Sequence, residues 1–91
     1  MLITQNFFLV TIICPVTASG HLVDNIRKFK PVNYTTESIH SGRGDAESVP
    51  YTRVQVICTR NEYKKVMDYI NQYYVKDYGA VMYMNEVFIP M

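Results

Sequence analysis

Eight residues near the start, Phe7 to Cys14 (FFLVTIIC), constrain this chain more than any other stretch. They are apolar at both parities. As a strand, Phe8, Val10, Ile12 and Cys14 would face one side and Phe7, Leu9 and Ile13 the other, the pattern of a central strand covered twice. Pro15 stops the run, which is far short of the ~20 apolar residues that a membrane-crossing helix needs. No Lys or Arg precedes it, as one would in a secretory signal, and the small Val16 and Ala18 do not make it one. A buried strand is the reading, and the rest of the chain must supply its cover.

The following residues supply it. After Pro15, Thr17 or Ser19 is expected to cap a helix with Leu22, Val23, Ile26 and Phe29 on its apolar stripe. Pro31 ends that helix, and Val32 to Ile39 is predicted as a second strand. Ser41, Gly42, Arg43, Gly44 and Asp45 prefer tight or left-handed backbone, so a loop over about 40–50 separates it from a third strand, Tyr51 to Cys58. Thr59 and Glu62 have the spacing of a capping box for a second helix. Its stripe is Tyr63, Val66, Met67, Ile70, Tyr73 and Tyr74, running to about Val75. Lys76 to Gly79 is expected to turn the chain into a last strand, Ala80 to Ile89.

This order predicts an α+β, ferredoxin-like βαββαβ domain spanning 1–91: a four-stranded antiparallel sheet with two helices on one face. The other face keeps Leu9, Ile13 and alternate residues of the third and fourth strands. Soluble monomers rarely leave such an area open. With 91 residues the single core is also near the lower limit of sufficiency, so self-association is expected.

Charge narrows the partners. The formal net charge is +1 and the Lys and Arg are scattered, which disfavours nucleic acid and anionic membrane surfaces. Cys14 and Cys58 fit neither a redox pair nor a zinc site, and read as buried thiols of a protein in a reducing cytoplasm. His40 with the loosely spaced Glu37 and Asp45 is too little for a metal site, His21 reads as a surface residue, and no Ser or Cys nucleophile has an evident base. The expectation is a protein that is not an enzyme.

Three stretches, VNYTTESIHSGRGD, TRVQVICT and NQYYVKDYGAVMYMNEVFI, resemble the PII-like signalling proteins, in particular the short branch linked to bicarbonate transport. The resemblance covers roughly residues 8 to 89. It implies a cytoplasmic homotrimer with sheets facing inward, and an adenine nucleotide (AMP, ADP, ATP or cyclic AMP) in clefts between subunits. Carried over by position, the loop side of such a cleft is Ser38, His40, Ser41, Gly42, Arg43 and Gly44, and the turn side is Lys76, Asp77, Tyr78 and Gly79. Glycines let backbone N–H groups approach phosphate, Arg43 offers paired hydrogen bonds, and Lys76 a point charge.

In the family the loop changes order with ligand and governs a membrane transporter, so a transporter for bicarbonate or other inorganic carbon is the implied partner. Family loops carry further arginines after the glycines, whereas here Asp45, Ala46 and Glu47 follow. Two carboxylates repel a triphosphate, which favours a mononucleotide, a cyclic nucleotide or no nucleotide over ATP. The competing reading is a trimer of the CutA kind that binds metal or serves as a structural assembly.

Overall fold

The protein is described by a computed structural model covering residues 4–42, 44 and 47–90. Arg43, Asp45 and Ala46 lie outside the described residues. Four strands, β1 (Thr4–Pro15), β2 (Asn33–Ser41), β3 (Val49–Cys58) and β4 (Val81–Pro90), form one sheet in the order β2-β3-β1-β4. Every neighbouring pair is antiparallel. Helix α1 (Val16–Arg27) joins β1 to β2. Helix α2 (Tyr63–Ile70), a π-helical turn (Asn71–Val75) and a last short helix α3 (Lys76–Tyr78) join β3 to β4. This is the ferredoxin-like arrangement read from the sequence.

The parity of β1 decides where the core lies. Val10, Ile12 and Cys14 are wholly buried together with Val54, Val56 and Cys58 of β3, Ala18, Leu22 and Ile26 of α1, and Val66, Ile70 and Tyr74 of the second helical segment. One side of the sheet is therefore covered by both helices. Phe8 closes the far end of this layer, where Tyr63 stacks on its ring with centroids 4.1 Å apart and the Arg60 guanidinium sits over it.

Both helix starts differ from the sequence reading. Pro15 occupies the N-cap position of α1 in extended geometry, and no side chain caps the helix. The strand runs straight into the helix, so Thr17 falls inside the first turn and Ser19 donates instead to the Val16 carbonyl at 2.8 Å. At the second start, Thr59 acts through its backbone. Its carbonyl accepts from the N–H groups of Glu62 and Tyr63, both at 3.1 Å, and the expected capping box is absent.

The end of α1 tightens through hydrogen bonds from Lys28, Phe29 and Lys30 to carbonyls three residues back, ahead of Pro31. Lys30 there adopts φ 52°, a left-handed conformation that costs a non-glycine residue about 1 kcal/mol. Nothing in the sequence marks the π-helical turn. Tyr74, within it, is buried. Its hydroxyl lies 2.9 Å from His21 Nδ1 and accepts a hydrogen bond from Asn25 Nδ2 at 3.1 Å, tying this turn to α1. His21 is thus not a plain surface residue, and Tyr73 is 46% exposed with its ring 4.9 Å from that of Tyr69.

Cys14 and Cys58 are free and buried. Cys14 is opposite Thr52 while Cys58 is opposite Phe8, six residues apart along β3 and roughly 20 Å at the usual strand rise, too far for a disulfide. Burial raises both thiol pKa values, and that of Cys58, also near Glu62, is pushed up to about 11. Among the described residues, no helix is long and apolar enough to cross a membrane.

Candidate functional site

The site grows out of the β2–β3 hairpin, whose pairing runs further than the sequence suggests. His40 is opposite Pro50 and Ser41 opposite Val49, whereas β1 ends at Pro15 opposite Tyr51. The hairpin therefore overhangs the sheet, and the loop proper is confined to 42–48. Alternation then fixes what each residue can reach. Ile39 and Ser41 share a face with Tyr51 and Ile13, the face opposite the helices. Ser38 and His40 share the other face with Tyr34 and Thr36.

On the open face, at the loop end, lies a groove of about 320 Å³ lined by Ile13, Ser41, Gly42, Glu47, Val49, Tyr51, Gly79 and Val81. Three of the residues carried over from the resemblance meet here: Ser41 and Gly42 from the loop side, Gly79 from the turn side. Ile13, Glu47, Val49, Tyr51 and Val81 are additional. Strand register is the signal that could have found four of them, since all except Glu47 sit at facing or adjoining positions of β1, β3 and β4.

Gly79 is placed by local chemistry. It ends α3 with φ 67°, a conformation that glycine adopts without penalty and that lets the backbone reverse into β4. Ala80 N–H donates to the Tyr74 carbonyl at 3.2 Å, so the reversal is anchored to the residue that His21 and Asn25 hold from α1.

The remaining candidates sit elsewhere. Ser38 lines a second groove of about 510 Å³ between α1 and β2, with Val16, Ser19, Gly20, Val23, Tyr34, Thr36 and Thr52 among its walls. His40 is exposed on the helix-side parity of the hairpin. Gly44 is exposed at φ 58°, and Arg43 falls outside the described residues. Lys76 and Asp77 are exposed on α3, outside the groove lining, while the Tyr78 ring packs against Tyr74 and His21. The arrangement offers a hydroxyl, glycine backbone, an aromatic ring and apolar walls, with Glu47 the one charged side chain in the lining among the described residues. No group of three or more His, Cys, Asp or Glu placed to hold a metal ion occurs among the described residues.

Below the groove, the open face mixes apolar and charged groups. Glu37 and Arg53 are cross-strand partners, and Arg53 donates to the Glu37 carboxylate at 2.6 Å. That hydrogen bond, and then the carboxylate charge, raise the guanidinium pKa. Val81 and Tyr83 of β4 are exposed on the same face.

No protein-family model and no curated protein sequence matches the chain. Solved structures match along nearly its whole length. A PII-like signalling protein of Thermus thermophilus is 21% identical, with a TM-score of 0.79 over 94% of this chain and 90% of that one. CPII of Thiomonas intermedia, bound to ADP and bicarbonate, is 9% identical, with a TM-score of 0.85 over 100% and 95%. The B. subtilis GlnK–ATP complex is 12% identical, with a TM-score of 0.68 over 90% and 82%. The likeness is one of backbone rather than of side chains, and it agrees with the three stretches singled out in the sequence: the chain has the fold of the PII-like signalling proteins.

Proposed function

We propose that this protein is a non-catalytic, PII-like signalling protein that binds an adenine nucleotide and uses its β2–β3 loop to act on a partner. The observation that carries the reading is the convergence of Ser41, Gly42 and Gly79 on one groove at the loop end of the sheet. The fold adds support, because structures of the same fold have been determined with ADP, AMP, bicarbonate and ATP bound. Glycine backbone close to a hydroxyl suits a phosphate oxygen, and Tyr51 beside Ile13 and Val81 suits a purine face.

In this reading the groove is one half of a cleft. Three copies associate through the open sheet faces in the cytoplasm, and a neighbouring copy closes each groove. Arg43 is proposed to reach phosphate from the loop, with Gly44, Lys76 and Asp77 as further contacts around the cleft, whereas the side chains of Ser38 and His40 lie on the helix-side face of the hairpin and the Tyr78 ring packs against Tyr74 and His21. The occupied or empty cleft sets the loop conformation, and the loop engages a membrane transporter, with bicarbonate or another form of inorganic carbon as its cargo.

Calorimetric titration with AMP, ADP, ATP and cyclic AMP tests this, repeated with Arg43→Ala and with light scattering to count subunits. Binding of at least one nucleotide, weakened about tenfold or more by loss of the arginine hydrogen bonds, is expected. Absence of heat with all four ligands would remove the nucleotide, and a monomer in solution would remove the shared cleft.

A further inference from the structure

We infer that His21 makes the groove responsive to protons: neutral, it holds the turn that carries Gly79 in place, and protonated, it releases that turn and weakens nucleotide binding. The inference rests on the nucleotide reading above and adds how the same site is regulated. It follows from counting donors and acceptors along one line of hydrogen bonds. Lys28 Nζ donates to Asn25 Oδ1 at 3.2 Å, and an ammonium can only donate, so the Asn25 carbonyl faces Lys28 and its NH2 group faces Tyr74. Asn25 Nδ2 in turn donates to the Tyr74 hydroxyl oxygen at 3.1 Å. That hydroxyl still has its own hydrogen to donate, and His21 Nδ1 lies 2.9 Å away. To accept it, Nδ1 must be the bare nitrogen of a neutral imidazole.

A proton added at Nδ1 reverses the last bond. The Tyr74 oxygen then meets two donors, and its own hydrogen loses the acceptor it had, in a residue only 2% exposed. The effect reaches the groove by two routes. The Tyr74 carbonyl accepts the Ala80 N–H at 3.2 Å, directly after Gly79, which lines the groove. The Tyr78 ring, directly before Gly79, packs against both His21 and Tyr74, with centroids 5.5 and 5.7 Å away. Other titratable groups surround the network. Asp24 and Lys28 of α1 and Lys76 and Asp77 of α3 are exposed around it, and Tyr69 of α2, its ring 6.0 Å from that of Tyr74, has its pKa raised by burial and then by Tyr74. A variant that removes only the Tyr74 hydroxyl keeps these groups, so the difference from intact protein isolates the route through His21.

Amide signals of labelled protein, followed from about pH 8 to pH 5 where imidazoles take up a proton, test the release. In intact protein the Gly79 and Ala80 signals are expected to move together with those of the His21 ring. In Tyr74→Phe, which keeps the ring and removes the hydroxyl, they should hardly move. The same is expected of His21→Gln, whose amide oxygen can accept at this exposed position without titrating. Calorimetry with AMP at about pH 7.5 and about pH 5.5 tests the consequence. The affinity of intact protein should fall about fivefold further than that of either variant, the worth of one hydrogen bond. His40 and the nucleotide phosphate also titrate in this range, and they contribute equally to all three proteins.

Gly79 and Ala80 signals indifferent to the His21 ring, or an equal fall in AMP affinity in all three proteins, would overturn the inference and leave the nucleotide reading intact. Absence of AMP binding at either pH would overturn the nucleotide reading, and with it the control of binding by His21.

Discussion

The two faces of β1 start from similar residues and end in different states. On the helix side, Val10, Ile12 and Cys14 are completely buried under α1 and α2. On the other side no helix lies above, yet Phe7 and Thr11 are only 4% and 1% exposed, while Val81 and Tyr83 on the neighbouring edge strand are 54% and 45% exposed. The open face thus closes over the middle of β1 and leaves its apolar surface at β4 and at the loop end. Apolar character at both parities fixes a central strand, but it does not state what covers each side. The Glu37–Arg53 pair shows the difference, since a paired charge is tolerated on the open face and none occurs in the covered core among the described residues.

Substitutions on adjacent residues of β1 sharpen this contrast most. Ile12→Ala leaves a cavity in the covered layer and is expected to cost about 3 kcal/mol in chemical denaturation, with no change in molecular mass. Ile13→Ala, half-buried on the open side, is expected to cost about 1 kcal/mol or less for the isolated fold. Equal costs for the two would break the comparison.

The thiols probe the same layer by pH. Cys58 has its pKa raised from 9.0 to about 11 by burial, so the folded state favours the neutral thiol. That contribution is complete below pH 9 and is lost as pH rises through 11, on the order of 2 kcal/mol in all. A melting profile from about pH 8 to 11 should fall in this window, and Cys58→Ala should flatten the fall. A profile unchanged by that substitution would mean that the thiol does not report on the core.

At the loop end the expected effect is smaller. Gly79→Ala places a side chain at φ 67° with open space around it, so strain rather than collision sets the cost, about 1 kcal/mol by thermal melting. On the open face, Tyr83→Asp should leave the melting temperature of a monomer nearly unchanged and lower the mass measured by light scattering. An unaltered protein that already has the mass of one chain, or a mass that the variant leaves unchanged, would contradict the proposed association through this face.

Much of the fold was legible because periodicity and punctuation agree over most of the chain. The two-sided apolar run of β1, the alternation of β3, the Leu22–Ile26 stripe, the Val66–Ile70 stripe and Gly79 all mark their own roles. Caps were less legible, since Thr59 satisfies the helix start with its carbonyl, a group that every residue carries. The π-helical turn was invisible because its wider hydrogen bonding leaves no residue signature, and it shows itself only through the burial of Tyr74 beneath His21 and Asn25. In the candidate site the glycines and Ser41 could be named from the sequence, whereas Ile13, Tyr51 and Val81 depended on strand register. Ser38 and His40 have the opposite parity to Ser41, and so their side chains belong to the helix-side face of the hairpin.

The central claim is that an adenine nucleotide occupies the groove where hairpin and helix end meet. Backbone amide shifts of labelled protein titrated with AMP test it most directly. The account predicts saturable changes concentrated at Ser41, Gly42, Tyr51 and Gly79, with little change at Ser19, Gly20 and Thr36 in the second groove. Changes confined to that second groove, or none anywhere, would contradict it.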